Sequence, residues 1–350
     1  MRALFLKGRP SQGRAAAGVG VALVVLGLAL GLVLSHGQAT AASGHRALTL
    51  MTWNLEWLLA PEADRALRTD CRLRQPRSDE HALPCTPGRK PPPQRQTADY
   101  EALARTAQTL LSQGVDVIAL QEVDGAQAAR TVFGRGWVVD CFLKRAHPQK
   151  NGFAIREGIP YRCNGDLQAL DIDGGSRGGA DVSLYPGTPH EVRLLSVHLK
   201  SGCFDGKLDR RFAPCAGLRT QVPILEAWVD ARVRERVAFA VLGDFNRKLD
   251  RDAVYPAGPD EQAPLNLMAA ISDDQPRGAV LTRATDRQRY VPCTADDEHS
   301  RYIDDVLVSA RLLSRASGTR FMREPYASGD QRRQLSDHCP LGLRLDGALP

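Results

Sequence analysis

Residues 242–246 read Leu242-Gly243-Asp244-Phe245-Asn246, at the end of the apolar run Val237–Leu242. The run has the length and composition of a buried strand. Its exit is a glycine, an acid, an aromatic ring and an amide. Asp244 and Asn246 are common turn formers, so this exit alone means little. The same event recurs along the chain. Ala47–Leu55 carries Trp53-Asn54-Leu55-Glu56 at its end, and Val115–Leu120 runs into Gln121-Glu122. Glu191–Leu199 contains Ser196-Val197-His198 and is followed by Lys200. Ile303–Ser309 carries Tyr302-Ile303-Asp304-Asp305-Val306, and Cys339–Leu343 carries Ser336-Asp337-His338. Strand ends that meet on one rim are where layered folds build sites.

Each of these residues has an ordinary structural explanation when taken alone. Asn54 can end a strand, Glu122 can pair on a surface, and His198 can sit satisfied in a core. Asp304 and Asp305 can flank an edge strand, and Asp337 can cap a turn. Six such punctuations in one order do not follow from turn chemistry. Carboxylates and amides are hard oxygen donors, which suit Mg²⁺, Mn²⁺ or Ca²⁺ better than zinc. The chain also has no Cys-x-x-Cys pair of the kind structural zinc sites use.

The words TWNLE (52–56), LQEV (120–123), SVHLKS (196–201), LGDFN (242–246), YIDDVLVS (302–309) and SDHCPL (336–341) are the carriers of a resemblance. In this order the chain resembles the endonuclease/exonuclease/phosphatase superfamily. That group includes pancreatic-type deoxyribonucleases, abasic-site repair endonucleases, sphingomyelinases and inositol polyphosphate phosphatases. The resemblance spans Met51 to about Leu343. It implies an α/β fold, a four-layer α/β/β/α sandwich of two packed mixed β-sheets flanked by helices. It also implies divalent-metal-dependent hydrolysis of phosphate esters.

By the same resemblance, Glu122 is a metal ligand and Asn54 helps to place the metal, with Glu56 as a further acid. Asp337 completes the metal or water network. Asp244 orients or deprotonates the attacking water, and Asn246 holds water or phosphate beside it. His338 and His198 contact the scissile phosphate, and Asp304 orients His338. Relatives commonly place an aromatic residue where this chain has Asp305. Strand alternation sends Asp304 and Asp305 to opposite faces, and the motif register favours Asp304 as the partner of His338. Lys200 and Arg156 are further cationic candidates, although a solvated surface role suits both. The ion expected is Mg²⁺ or Mn²⁺, with Ca²⁺ as a structural ion.

The 350 residues suit one large α/β domain or two modest ones. Hydrophobic residues make up 43% and charged residues 25%, which excludes a disordered, collagen-like or polytopic membrane chain. The formal net charge of +6 points to an anionic partner. Much of that charge is N-terminal. Residues 1–41 hold Arg2, Lys7, Arg9 and Arg14 without an acid, then an apolar run from Ala15 to Leu34, then Ala39-Thr40-Ala41. This is the pattern of an export signal. The run is also long enough for an uncleaved membrane anchor. Removing those four charges from +6 leaves +2.

The catalytic domain is then 45–346, with 61–96 as a basic, Pro-rich loop insertion. Residues 65–95 carry eight Lys or Arg against three Asp or Glu. A helix follows from Thr97, which can cap it, to Gly114, and a second surrounds Pro223–Arg236. Residues 251–300 read mostly as loop. The eight cysteines all follow residue 41. In an oxidising compartment they form up to four disulfides, with sequence neighbours such as Cys71–Cys85 and Cys203–Cys215 paired.

The resulting expectation is an exported phosphodiester hydrolase, secreted, periplasmic or membrane-anchored, that works as a monomer. Nucleic acid is the expected substrate, as DNA or RNA cut endonucleolytically. The alternative is a phosphoesterase for small molecules or lipid headgroups. No apolar hairpin outside the N-terminus favours lipid. A non-enzymatic scaffold is disfavoured, because no metal ligand or histidine of the motif set is missing.

Overall fold

The computed structural model describes residues 46–74, 93–208, 211–252, 266–330 and 332–349. The predicted signal or anchor, Cys85 and residues 75–92 of the predicted loop lie outside them. Among the described residues no helix is long and apolar enough to cross a membrane.

Two six-stranded sheets carry the fold. The first contains β1 (Arg46–Leu58), β2 (Val117–Val123), β3 (Trp137–Asp140), β4 (Lys150–Arg156), β11 (Gly318–Arg323) and β12 (Leu341–Leu349), in the order β11-β12-β1-β2-β4-β3. The second contains β5 (Tyr161–Leu167), β6 (Gly179–Leu184), β7 (Val192–His198), β8 (Ala238–Asp244), β9 (Leu281–Arg283) and β10 (Asp304–Ser309), in the order β5-β6-β7-β8-β10-β9. Each sheet is mixed and has one parallel pair at its centre, β1 with β2 and β7 with β8. A parallel pair needs a long crossover. The first crossover carries α1 (Pro61–Arg74) and α2 (Thr97–Ser112), a short α3 (Gly125–Ala129) follows β2, and the second crossover carries α4 (Ala213–Arg234).

Strand alternation sets the layers. Leu48, Leu50, Val117 and Ala119 of the first sheet pack against Val182, Leu194, Ala240 and Val306 of the second. The residues between them face outward. Met51, Trp53, Ile118 and Leu120 meet Leu103, Ala107 and Leu110 of α2. Leu195, Val197, Phe239 and Val241 meet Leu218, Val222, Leu225 and Val229 of α4. The result is the predicted α/β/β/α sandwich.

Two local predictions are corrected. The stretch 61–96 is not all loop, because Pro61–Arg74 is a helix. Pro61 opens it, Glu62 and Asp64 lie in its first turn, and Arg68 Nε pairs with Asp64 Oδ2 at 2.9 Å. Proline and acids at a helix start satisfy its geometry and dipole. The start of α2 is capped by Gln96, not Thr97; the Gln96 amide donates to Asp99 Oδ2 at 2.7 Å. Cysteine pairing follows sequence neighbours: Cys141–Cys163, Cys203–Cys215 and Cys293–Cys339. The predicted partner of Cys71 lies outside the described residues.

The topology places the polar strand ends on one rim. Asn54, Glu122, His198 and Asp244 sit toward the C-terminal ends of the two parallel pairs. The antiparallel strands β10 and β12 begin where those strands finish. Asp304 is therefore level with Asp244, as is His198. Leu341, just past His338, is level with Thr52.

Candidate active site

The rim is supported by a polar layer between the sheets. Gln121 Nε2 donates to Ser196 Oγ at 3.1 Å, and Thr52 Oγ1 donates to Gln121 Oε1 at 2.9 Å. Gln121 and Ser196 are fully buried, so these bonds satisfy groups that would otherwise be costly. Gln121 thus bridges the sheets while its neighbour Glu122 enters the site. Four rim residues have a left-handed backbone: Glu56 (φ 40°), Trp57 (φ 55°), Glu122 (φ 57°) and Asn246 (φ 50°). Such strain persists where surrounding structure holds it, often at functional sites. Gly243 is required for another reason. At φ 153° a Cβ there would lie 1.9 Å from the carbonyl oxygen of Val197, so only glycine lets β7 and β8 stay level beside His198 and Asp244.

Asp244 is at the centre and buried. Its Oδ2 accepts Asn54 Nδ2 at 3.1 Å, and its Oδ1 accepts the Asn246 amide at 2.7 Å. Asn54 Nδ2 also reaches Glu122 Oε1 at 3.4 Å, and Glu122 Oε2 accepts the Trp57 amide at 3.2 Å and a bond from Gln149 Nε2. Asn246 Nδ2 is tied to the Leu199 carbonyl at 3.0 Å. Burial pushes the Asp244 carboxyl up to about 7, with Asp304 adding to the rise; His338, the Asn246 amide and Asn54 oppose it.

The two histidines flank Asp244. His338 Nδ1 lies 2.7 Å from Asp304 Oδ2, and its Nε2 lies 3.9 Å from Asp244 Oδ2. Burial alone would lower the His338 pKa. Asp304, Asp244 and Asp337 outweigh it and hold the imidazole well above its ordinary value. His198 is buried and faces Arg177, whose Nη2 lies 2.9 Å from Nδ1 and 2.7 Å from Nε2. Burial, then Arg177 and His338, hold its pKa well below the ordinary value. A neutral imidazole has one acceptor nitrogen. The His198 Nε2 also lies 3.4 Å from Asp244 Oδ2.

Most of the predicted residues come together. Asn54, Glu122, His198, Asp244, Asn246, Asp304 and His338 form one connected network. Asp304, rather than Asp305, faces His338. Asp305 turns away to Thr285, whose Oγ1 donates to it at 2.5 Å, and burial pushes its carboxyl up to about 6. Glu56 and Asp337 meet at the exposed lip, where the Asp337 amide donates to Glu56 Oε2 at 3.1 Å. Lys200 and Arg156 stay outside the network. Lys200 Nζ lies 3.3 Å from Asp173, and Arg156 ties the Leu111 and Val115 carbonyls at 2.7 Å each.

Sequence reading missed two arginines. Arg177 belongs to no strand-end motif and reaches His198 only through the fold. Arg95 is buried, and its Nη2 donates to the Leu55 and Glu56 carbonyls at 2.8 and 2.9 Å. Its Nη1 reaches the Trp57 carbonyl at 3.1 Å, and its Nε reaches those of Gln334 and Leu335 at 3.1 and 3.0 Å. It clamps the end of β1 to the loop before His338.

The donor chemistry fits a hard divalent cation. Glu122 and Asp244 share the Asn54 side-chain amide, and carboxylate oxygens of Asp244 and Asp304 lie within 4.8 Å of each other. Among the described residues no cysteine is free, so no thiolate competes there.

Carboxylates and two histidines gathered at the strand ends of two packed sheets are the donor set of a phosphoesterase class. A family model, Endonuclease/Exonuclease/phosphatase family, matches residues 51–338. The chain belongs to this family, whose members are divalent-metal-dependent phosphoester hydrolases such as nucleases. Truncated Caenorhabditis elegans TDP2 shares the fold at TM-score 0.50 and 13% identity, over 86% of this chain and 98% of that one. The human Nocturnin catalytic domain with bound sulfate aligns at TM-score 0.47 and 14% identity, over 86% and 95%. The 3'-5' exonuclease NExo from Neisseria meningitidis aligns at 0.47 and 16%, over 85% and 100%. Among curated proteins no sequence matches significantly.

Proposed function

We propose that this protein is an exported phosphodiesterase that cuts nucleic acid. The observation that carries the reading is the His338–Asp304 pair, 2.7 Å apart, set against an Asp244 carboxyl raised to about 7. A carboxylate with that proton affinity is a competent base at neutral pH. Asp244 takes the proton of the attacking water, which the Asn246 side orients. His338, kept charged by Asp304, donates to the phosphate oxygen that gains charge. His198 would contact the phosphate as the second histidine. Glu122, Asn54, Glu56 and Asp337 would hold the metal. A divalent ion bound there polarises the phosphoryl group and neutralises developing charge.

Export rests on the N-terminal pattern, residues 1–41, and on the three disulfides, since such bonds persist in oxidising compartments. Residues 45–346 are the catalytic domain in this reading. Mg²⁺ or Mn²⁺ is the working ion, and the enzyme acts as a monomer. The test is a panel of plasmid, single-stranded DNA, RNA, small phosphodiesters and phosphomonoesters, with and without divalent metal. Metal-dependent cleavage of a nucleic acid is expected. Cleavage of only small esters overturns the substrate assignment.

A further inference from the structure

We infer that the pocket beside His338 seats one unpaired nucleobase of the substrate strand, with Phe204 as its stacking face. The inference rests on the nucleic-acid reading above and adds which form of nucleic acid is preferred.

The pocket measures about 220 Å³ and is bounded on one side by Asn246, Asp304 and His338. Its occupant is therefore adjacent to a phosphate held at those residues. Part of its lining is aromatic. Tyr290 and Tyr302 lie 4.9 Å apart between ring centroids, and the Arg323 guanidinium sits 5.3 Å over Tyr302. The polar ends of this lining are already engaged. Tyr290 donates to Asp297 at 2.7 Å, and Tyr302 donates to the Arg289 carbonyl at 3.0 Å. Arg323 donates to the Cys339 carbonyl at 2.7 Å and to Cys293 Sγ at 2.9 Å. His299 and Arg301 line the pocket too; His299 Nδ1 lies 2.8 Å from Asp297 and Arg301 pairs with Asp250, so these polar groups are also engaged by neighbouring acids.

Phe204 completes the pocket and is 41% exposed, unusual for a large apolar ring. Its backbone is fixed on both sides. Cys203 is bonded to Cys215, and the Phe204 carbonyl accepts the Lys248 amide at 2.9 Å, two residues beyond Asn246. An exposed ring on a tethered backbone, lining the same pocket as Asn246, is a candidate stacking platform. Every base has a π face, so such a platform tolerates sequence.

The size sets the form of the ligand. Pockets for drug-sized ligands measure ~300–1,000 Å³, so this one takes a single ring system and not a base pair. A lipid chain would want a longer, uncharged lining. A base joined to the scissile phosphate can enter only when unpaired, so the enzyme acts on single strands and frayed ends.

The test uses the full chain with Mg²⁺ or Mn²⁺ and a labelled oligonucleotide. It is offered single-stranded, annealed to its complement, and single-stranded with one abasic residue. Wild type is expected to cut the single strand roughly tenfold faster than the duplex. It is also expected to prefer a bond beside an intact base over one beside the abasic residue by roughly tenfold, the scale of one base–aromatic stack. Phe204→Ala should collapse that second preference toward unity, and Phe204→Trp should keep it. An unchanged melting temperature shows that each variant folds. If Phe204→Ala keeps the wild-type preference, or wild type cuts duplex as well as single strand, the pocket assignment is wrong. If wild type cuts small phosphodiesters but no oligonucleotide, the nucleic-acid reading fails, and the pocket assignment with it.

Discussion

His198 and His338 stand 3.4 and 3.9 Å from the same Asp244 oxygen, yet the fold treats a proton on each in opposite ways. The His338 side is built from β10 and the loop before β12 and supplies Asp304 and Asp337. The His198 side is built from β7 and the 177 loop and supplies a guanidinium. One imidazole is held charged and the other neutral. Burial is common to both, so the neighbours and not the depth decide the protonation state. The site therefore has one cationic donor and one neutral donor around a single base.

Metal removal should have the largest effect on turnover while leaving that distinction in place. EDTA is expected to abolish hydrolysis, and added Mg²⁺ or Mn²⁺ to restore it; persistent activity in chelator would defeat the metal assignment. Next in size, His338→Ala and Asp244→Asn should each lower kcat by about 10²–10⁴-fold while thermal unfolding stays near wild type. Full turnover in either variant would remove that residue from the mechanism.

Asp304→Asn should make His338 resemble an ordinary histidine. Its pKa, raised by the carboxylates, should fall toward ~6.5, and each unit lost costs about tenfold in the charged fraction at higher pH. The alkaline limb of activity should move toward acid. Stability has the same sign. A histidine raised on folding contributes fully below its unfolded pKa of ~6.5, and the contribution is lost as pH rises through the folded value. Asp304→Asn should flatten that alkaline loss. NMR titration of the His338 ring in metal-free protein reads the shift, and an unmoved titration contradicts the pairing.

Arg177→Met is the smallest expected change. The His198 pKa should rise once the guanidinium is gone, with kcat reduced by no more than about tenfold because general acid–base positions lose more. A larger loss, with the His198 titration unmoved, would assign Arg177 a direct role on substrate.

The strand-end residues were legible because strand and motif coincide: an apolar run announces the strand, and a polar break marks its rim. The interior strands have such runs. Three of the four edge strands, β5, β9 and β11, escaped the reading. The reason is physical, since Tyr161–Leu167 and Gly318–Arg323 contain no buried residue and read as polar loop. Edge strands face water on one side and on one margin, so they do not advertise themselves by hydrophobicity. Arg177 and Arg95 escaped for another reason. Their partners lie 21 and up to 240 positions away, and no local pattern encodes such a meeting. Arg156 and Lys200 show the converse, cations near the motifs in sequence whose bonds lead elsewhere.

Arg95 also redraws the limits of the insertion that precedes α2. By composition that segment belongs outside the common fold and invites removal. Its last basic side chain, however, serves as a five-carbonyl rivet joining the end of β1 to the loop before His338. A shortened chain that starts its second helix directly after β1 would discard the rivet with the ornament. Any trimming must therefore stop short of Gln94, and the foreign-looking segment ends as part of the frame.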